Sequence, residues 1–121
     1  MIKKVNLAEK FSSIDDYYSP RIAGEVNDFH VKLGKLKGDF VWHHHDNEDE
    51  LFLVTKGQLT IMLRDQEDIV LNPGEFAIIP KGIEHKPVCD EEVHCLMFEP
   101  KSTLNTGNIE NERTVRELKR V

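Results

Sequence analysis

The chain has 121 residues, 16 of them basic and 22 acidic, giving a net charge of -6 and a mean hydropathy of -0.47. This length suits one domain with a single core, and an acidic chain whose basic runs are no longer than Lys3-Lys4 lacks the electrostatic footprint of a nucleic-acid binder. No stretch approaches the roughly 20 apolar residues that a membrane-spanning helix needs. Met1-Ile2-Lys3-Lys4 leads into Asn6-Leu7-Ala8-Glu9, too polar for a signal sequence, so a cytoplasmic location is expected.

In chain order, Asn6 followed three residues later by Glu9 predicts a short N-terminal helix over 6–11. Short runs with turn signals between them then predict strands over 21–26, 30–37, 40–45, 50–55, 58–63, 69–71, 76–79, 85–88 and 92–98. Lys56-Gly57 predicts a tight hairpin and 64–68 a longer acidic connection. Asn72-Pro73-Gly74 has the order of a type II turn, and Pro80-Lys81-Gly82 suits a type I turn. Such spacing indicates an all-β sandwich or barrel. The expected organisation is an N-terminal segment with the first strand over 1–29, a barrel over 30–100 and a polar C-terminal tail over 101–121. The sequence does not say whether that tail is ordered.

Two stretches carry the chemistry. His43 and His45 are two residues apart, so on an extended strand both imidazoles project from one face and His44 from the other. Glu50 lies at an odd offset from His45, so the polar run 46–49 must turn the chain and let Glu50 open the next strand, facing the histidines across a hairpin. The second stretch reads as turn, strand, turn and then His85. Gly38, His43, His45, Glu50 and Gly57, followed by Gly74, Pro80, Gly82 and His85, resemble the two ordered motifs of the cupin superfamily. The spacing from Gly38 to His43 is one residue short of the commonest, and Cys89 stands where the family often has asparagine. Neither departure touches a ligand position. The resemblance spans roughly 30–99 and implies a double-stranded β-helix, or jelly-roll barrel, of the small single-domain cupin type.

It also implies a mononuclear site. Three neutral imidazoles and one carboxylate, from His43, His45, Glu50 and His85, suit one divalent transition metal, whether iron, manganese, nickel, copper, cobalt or zinc. Members that share these motifs include dioxygenases, decarboxylases, sugar isomerases and epimerases, and non-enzymatic binding domains. The leading expectation is a metalloenzyme for a compact oxygen-bearing molecule. The alternatives are a non-catalytic ligand-binding or sensing domain and a metal-independent sugar isomerase or epimerase. No further residue stands out as a general acid, base or nucleophile.

Other residues receive plainer readings. His44 is read as a solvent-facing bystander, and Glu48 and Asp49 as solvating their loop. His30 and His94 are read as structural, His94 being the better candidate for a second pocket residue. Trp42 is assigned to core or interface, and Lys81 and Lys86 could hold an anionic group at the mouth. Cys89 and Cys95 are expected to be thiols, Cys89 a small apolar filler in preference to a redox-sensitive pocket residue near His85. Finally, 51–54, 76–79 and 95–98 are apolar on both faces, whereas a strand with one wet face should alternate. A covering surface is therefore required, and a homodimer is expected, with fold-back of the chain's two ends as the alternative.

Overall fold

A computed structural model describes residues 2–108 and 110–121. Its elements are α1 (Leu7–Ser12), β1 (Arg21–Val26), β2 (Phe29–Asp39), β3 (Glu50–Lys56), β4 (Leu59–Leu63), β5 (Ile69–Leu71), β6 (Phe76–Ile79) and β7 (His85–Pro100). The helix begins as its sequence predicts: the Asn6 side chain accepts a hydrogen bond from the Glu9 amide at 3.0 Å. So short a helix has little stability of its own. Burial of Phe11 against Ile14 and Leu33 holds it in place, with Leu7, Ala23, Leu96 and Val121 packed around them. Among the described residues no helix is long and apolar enough to cross a membrane.

The architecture is an antiparallel barrel built on β7. This strand of 16 residues pairs with β2 along most of its length, with β3 through 94–98 and with β4 through 85–88. The pairing order is β1-β2-β7-β3-β6, and β4 carries β5. The two strands expected over 85–88 and 92–98 are thus one. The chain stays extended through Asp90 and Glu91, and the break appears instead as a register shift between Leu36 and Gly38 of β2.

Three other expectations are corrected. The strand expected over 40–45 is reduced to a single bridge, in which His43 and His85 exchange backbone hydrogen bonds of 3.0 and 2.9 Å. Phe40 donates to the Pro87 carbonyl and His43 sits against His85, three steps on one side for two on the other. Pro87 has no N–H to return, so the ladder does not close. The hairpin expected at Lys56-Gly57 joins strands that do not pair with each other, because β3 and β4 each add to β7. The turn after β6 has Ile83 donating to the Pro80 carbonyl and Gly82 at φ 84°, which makes it type II and not type I. The turn from Asn72 to Glu75, with Gly74 at φ 87°, is type II as expected.

Alternation along the strands fills the interior. Phe52 and Val54 of β3, Leu59 and Ile61 of β4, and Cys89, Val93, Cys95 and Met97 of β7 form the main core with Leu36, Leu71 and Ile79. Both cysteines are buried free thiols on the same strand. On the outer face α1 covers Leu33 and Leu96, while Phe76 and Ile78 remain 60% and 55% exposed. The C-terminal tail folds back as well: Ile22 donates to the Lys119 carbonyl, Val121 to the Ile22 carbonyl, and Thr103 and Thr106 are buried.

Gly57 is where the chain passes over β7. Its φ is 84°, and a Cβ there would lie 2.6 Å from the Glu92 carbonyl oxygen. Backbone atoms at that distance have to move, and left-handed φ is strained for other residues. Gly57→Ala is expected to lower stability by about 1–3 kcal/mol, read as a drop in melting temperature; an unchanged melting curve would refute the constraint.

Candidate metal centre

The site grows out of the core. On β3 the inward positions run Glu50, Phe52, Val54, and on β7 they run His85, Pro87 and Cys89 at one end and Cys95, Met97 and Glu99 at the other. Glu50, His85 and Glu99 therefore replace apolar side chains at the end of the barrel interior. His43 and His45 come from the irregular segment between β2 and β3, and the bridge to His85 fixes their height.

These elements bring the four predicted residues together. One nitrogen or oxygen from each of His43, His45, Glu50 and His85 lies within 4.8 Å of the others, a spread close to twice a metal–nitrogen bond of ~2.1 Å. The ring centroids of His43 and His85 are 4.3 Å apart, and those of His43 and His45 5.2 Å. All four residues are at most 3% exposed.

Hydrogen bonding orients the donors. His43 Nδ1 donates to the Val41 carbonyl and His85 Nδ1 to the Ile83 carbonyl, each at 2.9 Å. A carbonyl only accepts, so both protons sit on Nδ1 and each Nε2 keeps its lone pair. His85 Nε2, His45 Nε2 and Glu50 Oε1 are buried without a hydrogen-bond partner. Glu50 Oε1 is 3.3 Å from His45 Nε2 and 3.4 Å from His85 Nε2. Several unpaired acceptors converging in an interior would be costly unless something positive lies among them. The donor set fits a divalent transition ion.

Charge inside the barrel is shaped by a second group that sequence reading missed. Lys32 Nζ donates to Glu99 Oε1 at 2.8 Å and to the Thr103 carbonyl at 3.2 Å, and both side chains are 2% exposed. Removing either partner alone would strand a buried charge, at a cost of about 3–5 kcal/mol. Burial and the neighbouring Glu50 push the Glu99 carboxyl well above the usual range. Burial acts on Glu50 in the same sense, but Glu99, His45 and His85 outweigh it and hold Glu50 well below that range. His43 is lowered to about 4, chiefly by burial and then by His85. The available signal for Glu99 was its inward parity with Cys95 and Met97.

A cavity of about 30 Å³, room for roughly two waters, adjoins the cluster. Leu36, Phe40, Phe52 and Met97 give it apolar walls, while His43, Glu50, Glu99 and Asn105 supply polar atoms. Tyr18 and Phe40 stack at 4.7 Å on one side, and Arg113 of the tail lies over both rings. The tail also grips the ligand loop. Asn108 donates its amide to the His44 carbonyl, its side chain accepts from the Asp46 amide at 2.8 Å, and a Cβ on Gly107 would collide with the same His44 carbonyl.

The remaining candidates lie elsewhere. His44 pairs with Asp46 at the surface, Glu48 accepts from Ser102, and Asp49 accepts from the Lys81 amide. His94 does not reach the cavity; it stacks on Phe11 at 4.6 Å and bonds Glu92. Lys86 pairs with Asp39, and neither it nor Lys81 lines the cavity. Trp42 lies under the Arg64 guanidinium at 3.9 Å. Cys89 sits 4.0 Å from the Tyr18 hydroxyl and from the Gly38 carbonyl.

An antiparallel barrel with histidines and a carboxylate converging at one end defines a class of small β-barrel protein with a potential metal site. The family of cupin domains matches residues 29–99, and the chain belongs to it. It is 37% identical over 86 residues to the uncharacterized protein YdbB of Bacillus subtilis (strain 168), covering 71% of this chain and 76% of that protein. A cupin-2 domain protein of Shewanella frigidimarina NCIMB 400 superposes with a TM-score of 0.78 at 46% identity, over 80% of this chain and 94% of that one. Acireductone dioxygenase of B. subtilis is 30% identical over 64 residues, which span 50% of this chain and 36% of the enzyme.

The lowered His43 gives a pH signature. The folded protein keeps this ring neutral to about pH 4, while the unfolded chain takes up the proton below about 6.5, so unfolding binds protons between those values. Stability of metal-free protein from this group is present above pH 6.5 and lost as pH falls through 4, by roughly 3 kcal/mol. Denaturant titrations from pH 7 to 4 should show that loss, and His43→Gln should reduce it; an equal loss in the variant would contradict the assignment.

Proposed function

We propose that this protein is a metal-dependent cupin enzyme that takes a compact oxygen-bearing substrate at a mononuclear centre formed by His43, His45, Glu50 and His85. The observation that carries the reading is the set of buried, unpartnered imidazole nitrogens and one carboxylate oxygen converging beside an apolar cavity. A divalent ion held by these four residues would supply Lewis acidity or, if redox-active, electron-transfer chemistry toward a small substrate. The histidines bind as neutral ligands, two of them aimed by their Nδ1 bonds, while Leu36, Phe52 and Met97 exclude bulk water. Glu99 and Asn105 offer polar contacts to a small ligand. The partial likeness to acireductone dioxygenase favours oxygen chemistry on a small substrate.

A second reading, a non-catalytic domain with the ion as anchor, draws on the small size of the cavity. Elemental mass spectrometry on protein purified without chelators should find about one transition ion per chain, lost in His45→Ala. Dioxygen uptake by iron-loaded protein, screened over enediols, catechols and hydroxy acids, then separates the two readings. Uptake absent in His45→Ala supports the enzyme; a loaded protein that consumes no dioxygen with any of them favours the anchor. A wild type that takes up no metal overturns both.

We also propose a homodimer formed through the outer face of the sheet. Ile78, Leu51, Phe98 and Val31 stand opposite one another across β6, β3, β7 and β2, and Phe76 and Leu53 add a second row. The two ends of the chain cover Leu33 and Leu96 and leave Phe76 and Ile78 in solvent. Light scattering should give twice the chain mass, and Phe76→Asp with Ile78→Asp should give a monomer; a monomeric wild type would exclude the dimer.

A further inference from the structure

One step beyond the Leu51–Phe98 pair of β3 and β7, Glu50 stands opposite Glu99. Cross-strand like charges repel, and more so inside a barrel. Lys32 offsets part of that repulsion: it reaches across from β2 and donates to Glu99 Oε1, while Glu50 and Glu99 border the same cavity. Lys32 is itself anchored by the Thr103 carbonyl. A row of buried polar groups therefore runs from Thr103 of the tail through Lys32 and Glu99 to Glu50, whose Oε1 faces His45 and His85. Every member is buried, and no part of this row is needed to fill space, since Leu and Met would do that as well.

Resting on the reading that the four-residue cluster holds a metal, we propose that Lys32 and Glu99 are positioning residues: they fix the rotation of the Glu50 carboxylate so that Oε1 stays on the histidine side. An unrestrained carboxylate could swing away or offer both oxygens to the ion. Coordination partners one shell out commonly set metal affinity by 10- to 100-fold. Glu99 lines the cavity beside Glu50, so the same contact also keeps that wall in place.

The test uses cobalt(II) alone, whose visible absorption reports coordination number and geometry. Two variants are compared with the wild type. Glu99→Gln keeps an N–H for Glu50 and an oxygen for Lys32, and it should retain the wild-type spectrum and an affinity within about threefold. Lys32→Met with Glu99→Leu removes both members and strands neither charge, so the barrel should melt cooperatively near the wild-type temperature. It should bind cobalt at least about tenfold more weakly, with an altered spectrum. A folded double variant with wild-type affinity and spectrum would overturn the inference. A tenfold loss in a Glu99→Gln variant that melts near the wild-type temperature would overturn it independently, because the polar contacts are kept there. Wild-type protein that takes up no cobalt would instead overturn the metal reading itself, and the positioning role with it.

Discussion

The polar cluster inside this barrel follows from placing acceptors where apolar side chains belong. Glu50, His85 and Glu99 occupy inward strand positions, and His43 and His45 are pressed against them by the bridge to β7. An interior tolerates such groups only when each lone pair finds a positive partner. Lys32 provides for Glu99, while the imidazole nitrogens and Glu50 Oε1 look toward one point. The barrel supplies the rigidity, since β7 pairs with strands on both of its edges and ties the two halves together. Order in the frame and polarity at its end are two aspects of one arrangement.

That arrangement was partly legible in the residues. The resemblance of His43, His45, Glu50 and His85, with their glycines and prolines, to the two cupin motifs marked the cluster, and the turns and two-residue periodicity behind it are local properties. What stayed hidden was non-local. Pro87, forty-odd residues from Phe40, breaks the ladder that alternation over 40–45 predicted. The Lys56-Gly57 turn looked like a hairpin because sequence shows a turn but not which strand lies beneath it. Nothing in the sequence singled out Lys32, and only the meeting of β2 with β7 places it against Glu99. His94 sat on the right strand but on the wrong face. The outer-face reading stands between these cases: two-sided apolarity was visible, while the division of that surface between the helix, the tail and solvent depended on how the ends pack.

The cupin family brings with it many chemistries on one frame, so the frame alone does not choose among them. Here the features that narrow the choice are the apolar lining of a small cavity and the buried Lys32–Glu99 pair beside it. Both restrict size and polarity in whatever enters, and both belong to this chain's own packing.

The grip of Asn108 on the backbone of His44 and Asp46 closes a loop of 62 residues between donor and acceptor. Closure over such a distance comes late in folding, since its entropy must be met after the intervening strands have formed. On a growing chain, synthesised from the N-terminus, the histidine segment emerges long before the residues that pin it. The histidine cradle is thus finished only after residue 108 has been made, and until then its histidines are tethered but not set.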